Sequence, residues 1–295
     1  MKILIAVGSK EYSGPTLQVG MKVAKAFNAS TTIVDVGEKI GKLGSKVIGL
    51  AQERLESWEF DRPGVDVLVW AFQYLAENNF IEPQTIKAGF PKNTLVETGA
   101  NRVEVYLKGT VCEDVNLILR NGDIISELRD EVRTGNYDVT IIGGSQKRRM
   151  VHDLIQYIDS SIFVVKNYQP DRQYKMLLAV NDASNTRKAV KYGVRVAQAF
   201  DLFTTAVTVS GTADSRENCK KASAWADKFL RRSGVENEIR FEDGKFVDTM
   251  STIAGDNHII VMGSSTKSPL IKFFSGSKPM KVMKDCKCSV LIVKE

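Results

Sequence analysis

The sequence is short of the residues on which most catalytic and metal chemistry depends. Its two histidines, His152 and His258, fall in different halves, so neither a His-x-x-His pair nor a Ser-His-Asp set can be assembled. Four cysteines in 295 residues make no disulfide framework. Cys286-Lys-Cys288 has one residue between its thiols and no second ligand pair nearby, so reduced thiols and no metal site are expected. There is no G-x-x-x-x-G-K-[ST] loop. No apolar run approaches the length of a membrane span, and Met1-Lys2 leads straight into Ile3 to Val7 without signal-peptide anatomy. The expectation is a cytoplasmic chain with no membrane partner. The net charge of +6 is scattered, with no finger, helix-turn-helix or aromatic-studded basic face, so nucleic acid is not an expected partner. What is present, 43% hydrophobic and 26% charged residues, is globular.

The chain repeats itself. Lys2-Ile-Leu-Ile-Ala-Val7 matches Lys175-Met-Leu-Leu-Ala-Val180, and Gly20 to Val36 matches Gly193 to Val209, both at an offset of 173. Nine of the seventeen residues in the second pair are identical, too ordered for chance. Further on, Asn121-Gly122-Asp123 matches Asp243-Gly244-Lys245, Gly135 to Gly143 matches Gly255 to Gly263, and Ser161 to Lys166 matches Ser289 to Lys294. The offsets there are 122, 120 and 128. The first copy therefore carries about 51 extra residues before its Asn121-Gly122 turn and lacks about eight after Gly143.

In the second copy Met176 to Val180, Phe203 to Val209, Ile239 to Phe241, Ile259 to Met262 and Val290 to Val293 read as strands. Thr186 to Phe200, Ser215 to Arg232, Lys245 to Ala254 and Ser277 to Asp285 read as helices between them. Near-continuous apolar strands alternating with helices predict an α/β fold of two tandem doubly wound parallel-sheet domains, Rossmann-like in type. The domains are placed at 1–168 and 173–295, with the Pro170-containing segment between them as linker. The insertion, near 41–109, is expected to be structured, with helices at Val47 to Trp58 and Val65 to Asn79 and a strand near Val103 to Leu107.

A candidate site lies in the stretch from Gly263 to Ser277. Ligands in open parallel sheets sit beyond the carboxyl ends of strands, where Gly263 falls. Amides of Gly263, Ser264 and Thr266, with those of Gly276 and Ser277 at the next helix start, could converge on one anion. Equally, Gly263 could end a strand and Ser277 cap a helix that has Pro279 in its first turn. At the first strand's end Asn181 and Asp182 offer an amide and a carboxylate to a ribose or an adenine edge, or Asn181 forms an Asx turn into the helix at Thr186. In the first copy the matching strand end is Gly8-Ser9-Lys10, the second glycine is missing, and Lys147, Arg148 and Arg149 read as a solvated run.

These residues resemble the universal stress protein family, in which a strand ending A-V-D opens each domain. The family's phosphate loop reads Gly, two residues, Gly, nine residues, Gly, then Ser or Thr. Here Gly263, Ser264, Ser265 and Thr266 are followed by nine residues, then Gly276 and Ser277, so Thr266 stands at the middle glycine. A Cβ there is strained if the position needs φ > 0. Cys288-Ser-Val-Leu-Ile-Val293 is similar to the family's C-P-V-L-V-V ending. The resemblance implies an adenine nucleotide, ATP or another, with Mg²⁺ as an option, held by Asn181, Asp182, Val207, Gly263, Ser264, Thr266, Gly276 and Ser277. It implies a tandem member sensing its nucleotide in the second domain rather than an enzyme, with no catalytic residue assigned. It further implies an intramolecular pseudo-dimer through the last strands, a homodimer as a further option, and a protein partner that the sequence does not name. Two alternatives stay open: a nucleotide-free interaction module with both sites degenerate, and a slow phosphohydrolase.

Overall fold

A computed structural model describes residues 1–39, 64–90, 96–99, 102–110, 114–144, 148–210, 213–264 and 277–294. The predicted helix at 47–58 lies outside these residues. The chain divides into two compact units, Met1–Asp138 and Val139–Glu295. The α/β alternation read from the second repeat is present element for element.

The first unit holds β1 (Lys2–Val7), α1 (Lys10–Phe27), β2 (Ser30–Gly37), α2 (Val65–Glu77), α3 (Pro83–Ala88), β3 (Val96–Gly99), β4 (Arg102–Lys108), β5 (Asp114–Asn121) and α4 (Ile124–Gly135). Its strands lie in the order β1-β2-β5-β4-β3. β1, β2 and β5 are parallel, whereas β4 and β3 run antiparallel at the edge. The insertion thus supplies the covering helix α2 and a hairpin that widens the sheet, a departure from the all-parallel expectation for this unit. α2 is docked through Leu68 and Leu75, both fully buried, and Phe72. Its apolar residues recur at helical period, and that stripe is what the unit buries.

β4 is fastened to α4 by a buried charge cluster. Glu131, 1% exposed, accepts from Arg102 Nε at 2.9 Å and Arg102 Nη2 at 3.2 Å, and from Arg120 Nη1 at 2.7 Å. The Tyr137 hydroxyl adds a bond at 3.2 Å, while Arg120 also meets Glu127 at 2.7 Å and Arg102 meets Glu104 at 2.6 Å. Burial alone would raise the Glu131 carboxyl; the hydrogen bonds and charges of Arg102 and Arg120 hold it below its ordinary value.

A second buried carboxyl in this unit has no such partner among the described residues. Asp35, 3% exposed at the end of β2, faces Gly64 at the start of α2, where an added Cβ would come within 2.6 Å of its Oδ2. Gly64 has φ +101°, so glycine is required there twice over. Burial pushes the Asp35 carboxyl up to about 7; the Val36 amide opposes the shift and the Asp66 charge adds to it. A carboxyl whose folded pKa exceeds its unfolded value favours folding at acid pH and loses that contribution as pH rises toward about 7. Asp35→Asn is therefore expected to stabilise the protein at pH 8 by more than about 1.4 kcal/mol, the worth of one pKa unit, and to change little at pH 4. Urea unfolding at both pH values checks this; an equal effect at the two would contradict it.

The second unit holds β6 (Val139–Gly143), α5 (Arg148–Tyr157), β7 (Ser161–Val165), β8 (Lys175–Ala179), α6 (Thr186–Phe200), β9 (Thr204–Ser210) and α7 (Ala213–Arg232). It continues with β10 (Asn237–Asp243), α8 (Phe246–Ala254), β11 (His258–Gly263), α9 (Lys278–Asp285) and β12 (Ser289–Val293). Strand order is β10-β9-β8-β11-β12-β7-β6, parallel except that β12 and β7 run antiparallel. β6, α5 and β7 belong to the first repeat by sequence but to this unit by contact, because β7 pairs with β12 at Val164↔Val290, Phe163↔Leu291 and Ile162↔Ile292.

The two strand ends exchange equivalent groups. Lys166 N donates to Ser289 Oγ at 3.0 Å, and Lys294 N donates to Ser161 Oγ at 3.1 Å. Lys166 Nζ caps the end of α9 through the carbonyls of Met283 and Cys286; Lys294 Nζ caps the end of α5 through those of Ile155 and Ile158. Burial pushes the Lys294 ammonium down to about 8, with Asp159 opposing. Ammonium groups complement the carbonyl end of a helix, which is the reason for lysine at both positions. The segment 167–173, read as a plain polar linker, is anchored as well: Tyr168 is buried, stacked on Tyr174 at 5.2 Å and edge-on to Phe200 at 6.0 Å.

A shared glycine shows why the repeats match where they do. An added Cβ at Gly20 would stand 2.5 Å from Ile5 Cδ1, and one at Gly193 would stand 3.2 Å from Leu178 Cδ1. The two contacts are equivalent, and in each repeat the glycine lets the first helix close on the first strand.

Candidate functional site

In the second repeat the chain leaves β8 toward β9 and β10 on one side, then returns to β11 and β12 on the other. β8 and β11 are adjacent and parallel, with Leu178 opposite Val261, so the order of connection reverses beyond their carboxyl ends. That reversal leaves the crevice in which doubly wound sheets take ligands. Asn181 and Asp182 follow β8, and Gly263 and Ser264 end β11, so four of the expected residues come to this edge.

The Asx-turn reading of Asn181 is realised. Its Oδ1 accepts from Ala183 N at 3.1 Å and from the Thr186 hydroxyl. Asn185, which sequence reasoning missed, is 5% exposed, and its Nδ2 donates to the Ser264 carbonyl. Its Oδ1 is buried without a partner among the described residues. An added Cβ on Gly263 would lie 2.7 Å from that oxygen. Glycine at 263 therefore makes room for Asn185, a packing reason independent of any ligand. The signal available was an Asn next to a helix start, where capping is the ordinary reading.

Ser264 is 1% exposed, and its N–H donates to the Val293 carbonyl at 2.8 Å. Contrary to expectation, this amide is spent within the sheet rather than aimed at an anion. Val207 is buried in β9, opposite Ala179, and its carbonyl accepts from Val180 N at 2.9 Å. Ser277 stands at the N-cap of α9, with Pro279 in the first turn, but its hydroxyl makes no cap bond and is buried unpartnered among the described residues. Thr266 and Gly276 lie outside the described residues.

Beside Asn181 a cleft of about 320 Å³ is lined by Asp182, Thr186, Arg187, Asn218, Lys221 and Trp225, among others. It opens between the start of α6 and α7. Cys219, buried next to it, has its thiol pushed up by burial and then by the Asp182 charge. The corresponding turn of the first repeat is closed on itself. There Ser13 Oγ accepts from Gly8 N at 3.0 Å and Ser9 N at 3.2 Å, and Ser9 caps α1. No cluster of His, Cys, Asp and Glu able to hold a metal occurs among the described residues, and none of their helices is long and apolar enough to cross a membrane.

Comparison with known proteins agrees with this geometry. The family model described as "Universal stress protein family" matches residues 174–294. No curated protein matches the chain. Among solved structures, a universal stress protein from Archaeoglobus fulgidus DSM 4304 superposes with a TM-score of 0.58 at 14% identity, covering 100% of this chain and 96% of that one. A functionally unknown protein from Pseudomonas aeruginosa PAO1 gives 0.56 at 14% identity, covering 99% and 92%. Identities this low speak for the fold. The second repeat, residues 174–294, therefore belongs to the universal stress protein family, and the chain carries that family's α/β fold along its length.

Proposed function

We propose that the second repeat, as a domain at 173–295, binds an adenine nucleotide, ATP foremost, as a sensing or regulatory ligand that is not rapidly turned over. The first repeat, at 1–168, has no nucleotide of its own in this reading. The supporting observation is the reversal point between β8 and β11, at whose edge Asn181, Asp182, Gly263 and Ser264 meet. The Ser277 hydroxyl, unpartnered among the described residues, and the helix start at α9 offer donors for phosphate; Thr266 and Gly276 would complete the set. Asp182 is the single carboxylate among the described residues that line the adjacent cleft, which suits a Mg²⁺ held mainly by the nucleotide's own phosphates. The self-satisfied Gly8-Ser9-Ser13 turn supports a single site. A cytoplasmic setting accords with this ligand.

Calorimetric titration of the whole chain with ATP and Mg²⁺ tests the proposal. One nucleotide per chain is expected, and Gly276→Val should weaken binding at least tenfold, about 1.4 kcal/mol. A stoichiometry of two would reject the assignment to one repeat. No binding would leave a nucleotide-free interaction module, a reading that the internally spent Ser264 amide already favours in part.

A further inference from the structure

The cleft beside Asn181 has a definite chemical character. The Ala183 N–H can only donate, so the atom of the Asn181 amide facing it must be the oxygen, which also takes the Thr186 hydroxyl. The Asn181 NH₂ is thereby left to the exposed side. Arg187 lies over the Trp225 ring at 5.5 Å, and Trp225 in turn stacks on Phe229 at 5.3 Å with 15° between the rings. A guanidinium held by its face keeps its N–H edge for a forked, planar partner. Lys221 and Asn218 line the same space from α7.

The backbone adds to this. The first turn of α6 holds Arg187 and Lys188 and no acidic residue, and its N-cap Asn185 makes no cap bond because its amide is turned to Ser264. Two negative groups stand nearby among the described residues. Glu217 lies 3.8 Å from Lys221, but both are about 70% exposed, so the pair is weak. Asp182 lies against Cys219. The lining therefore offers mainly donors and positive charge around about 320 Å³, at the small end of ligand sites.

Free ribose hydroxyls are met by a carboxylate acceptor, whereas a phosphorylated ribose is met by arginine. We propose that the ligand is a nucleotide carrying a phosphate on its ribose, and that Arg187, Lys221 and the Asn181 NH₂ receive that phosphate. The proposal rests on the nucleotide reading given above and adds a substrate class to it.

The test is calorimetry on the full chain with adenosine 5′-phosphate, its 2′-phospho and 3′-phospho derivatives, and inorganic phosphate, each against the parent, Arg187→Gln and Lys221→Gln. One of the two ribose-phosphorylated nucleotides is expected to bind at least tenfold more tightly than adenosine 5′-phosphate, and Arg187→Gln should bring that ratio close to one. Equal binding of all three nucleotides overturns this inference and leaves the nucleotide reading intact. Failure of every nucleotide to bind a protein that is folded by circular dichroism overturns both. Phosphate alone binding in an Arg187-dependent way, with no nucleotide bound, also overturns the proposal, because the cleft would then serve a free anion.

Discussion

Glu131→Ala is expected to destabilise the unit formed by Met1–Asp138 by about 3–5 kcal/mol, the loss typical of breaking a buried ion pair from one side. The carboxylate is almost fully buried and serves Arg102, Arg120 and Tyr137 together, so its removal takes from two mostly buried arginines the partner they share and leaves each with one carboxylate, Glu104 or Glu127. Glu131→Gln should recover part of the loss by keeping one acceptor oxygen. Replacing Arg102 by Met, Arg120 by Leu and Glu131 by Leu together, with Glu104→Gln so that its buried carboxylate is not left without Arg102, should recover more, since a neutral cluster of similar volume avoids the uncompensated charge. Urea unfolding of the three variants decides the order. A loss below about 1 kcal/mol for Glu131→Ala would mean that the cluster is solvated, contrary to its burial. The stabilisation is present at neutral pH and is lost as pH falls through the depressed pKa of Glu131.

Phe163→Ala should have an effect of similar size, about 3–5 kcal/mol, but in the other unit. Phe163 is fully buried in β7 and pairs with Leu291 of β12. By sequence it belongs to the first repeat, so its location makes a sharp demand. Hydrogen exchange should accelerate across residues 139–294 and stay near the parent rates across β1, β2 and β5. Acceleration confined to residues 1–165 would show that β7 draws its stability from its own repeat and not from β12. Phe163→Leu, which keeps most of the volume, should cost distinctly less.

Much of the fold was legible because local and global signals agree. Thr186–Phe200 was read to the residue, since its apolar positions recur at helical period and Asn and Asp flank it. The strands of the second repeat fell within a residue or two, as short apolar runs between turns do. The insertion was harder. Its helix at Val65–Glu77 and the strand at Arg102–Lys108 had clear periodicity, but the hairpin β3–β4 depends on pairing between segments that carry no turn signature. The charge cluster at Glu131 was invisible for the same reason: three elements bring it together, and a lone glutamate on an amphipathic helix reads as solvated. At the candidate site, spacing and residue type located the edge of the sheet correctly. They could not say which backbone groups were already spent, because Ser264 N–H and Val293 belong to different strands. Nor could they foresee Asn185, whose role follows from a missing Cβ at Gly263.

The exchanged lysines have a bearing on how the two repeats drift apart over time. Each of Lys166 and Lys294 terminates a helix encoded in the other copy, and each serine partner, Ser161 or Ser289, answers a backbone amide from the other copy. A substitution in one copy is therefore felt by a helix whose own sequence is unchanged, and the two halves of the gene are held together at these positions like interlocking signatures on one contract. In other stretches one copy gained a hairpin while shedding a loop. Duplicated chains are free to differ where each copy serves itself, and are kept alike where each serves its twin.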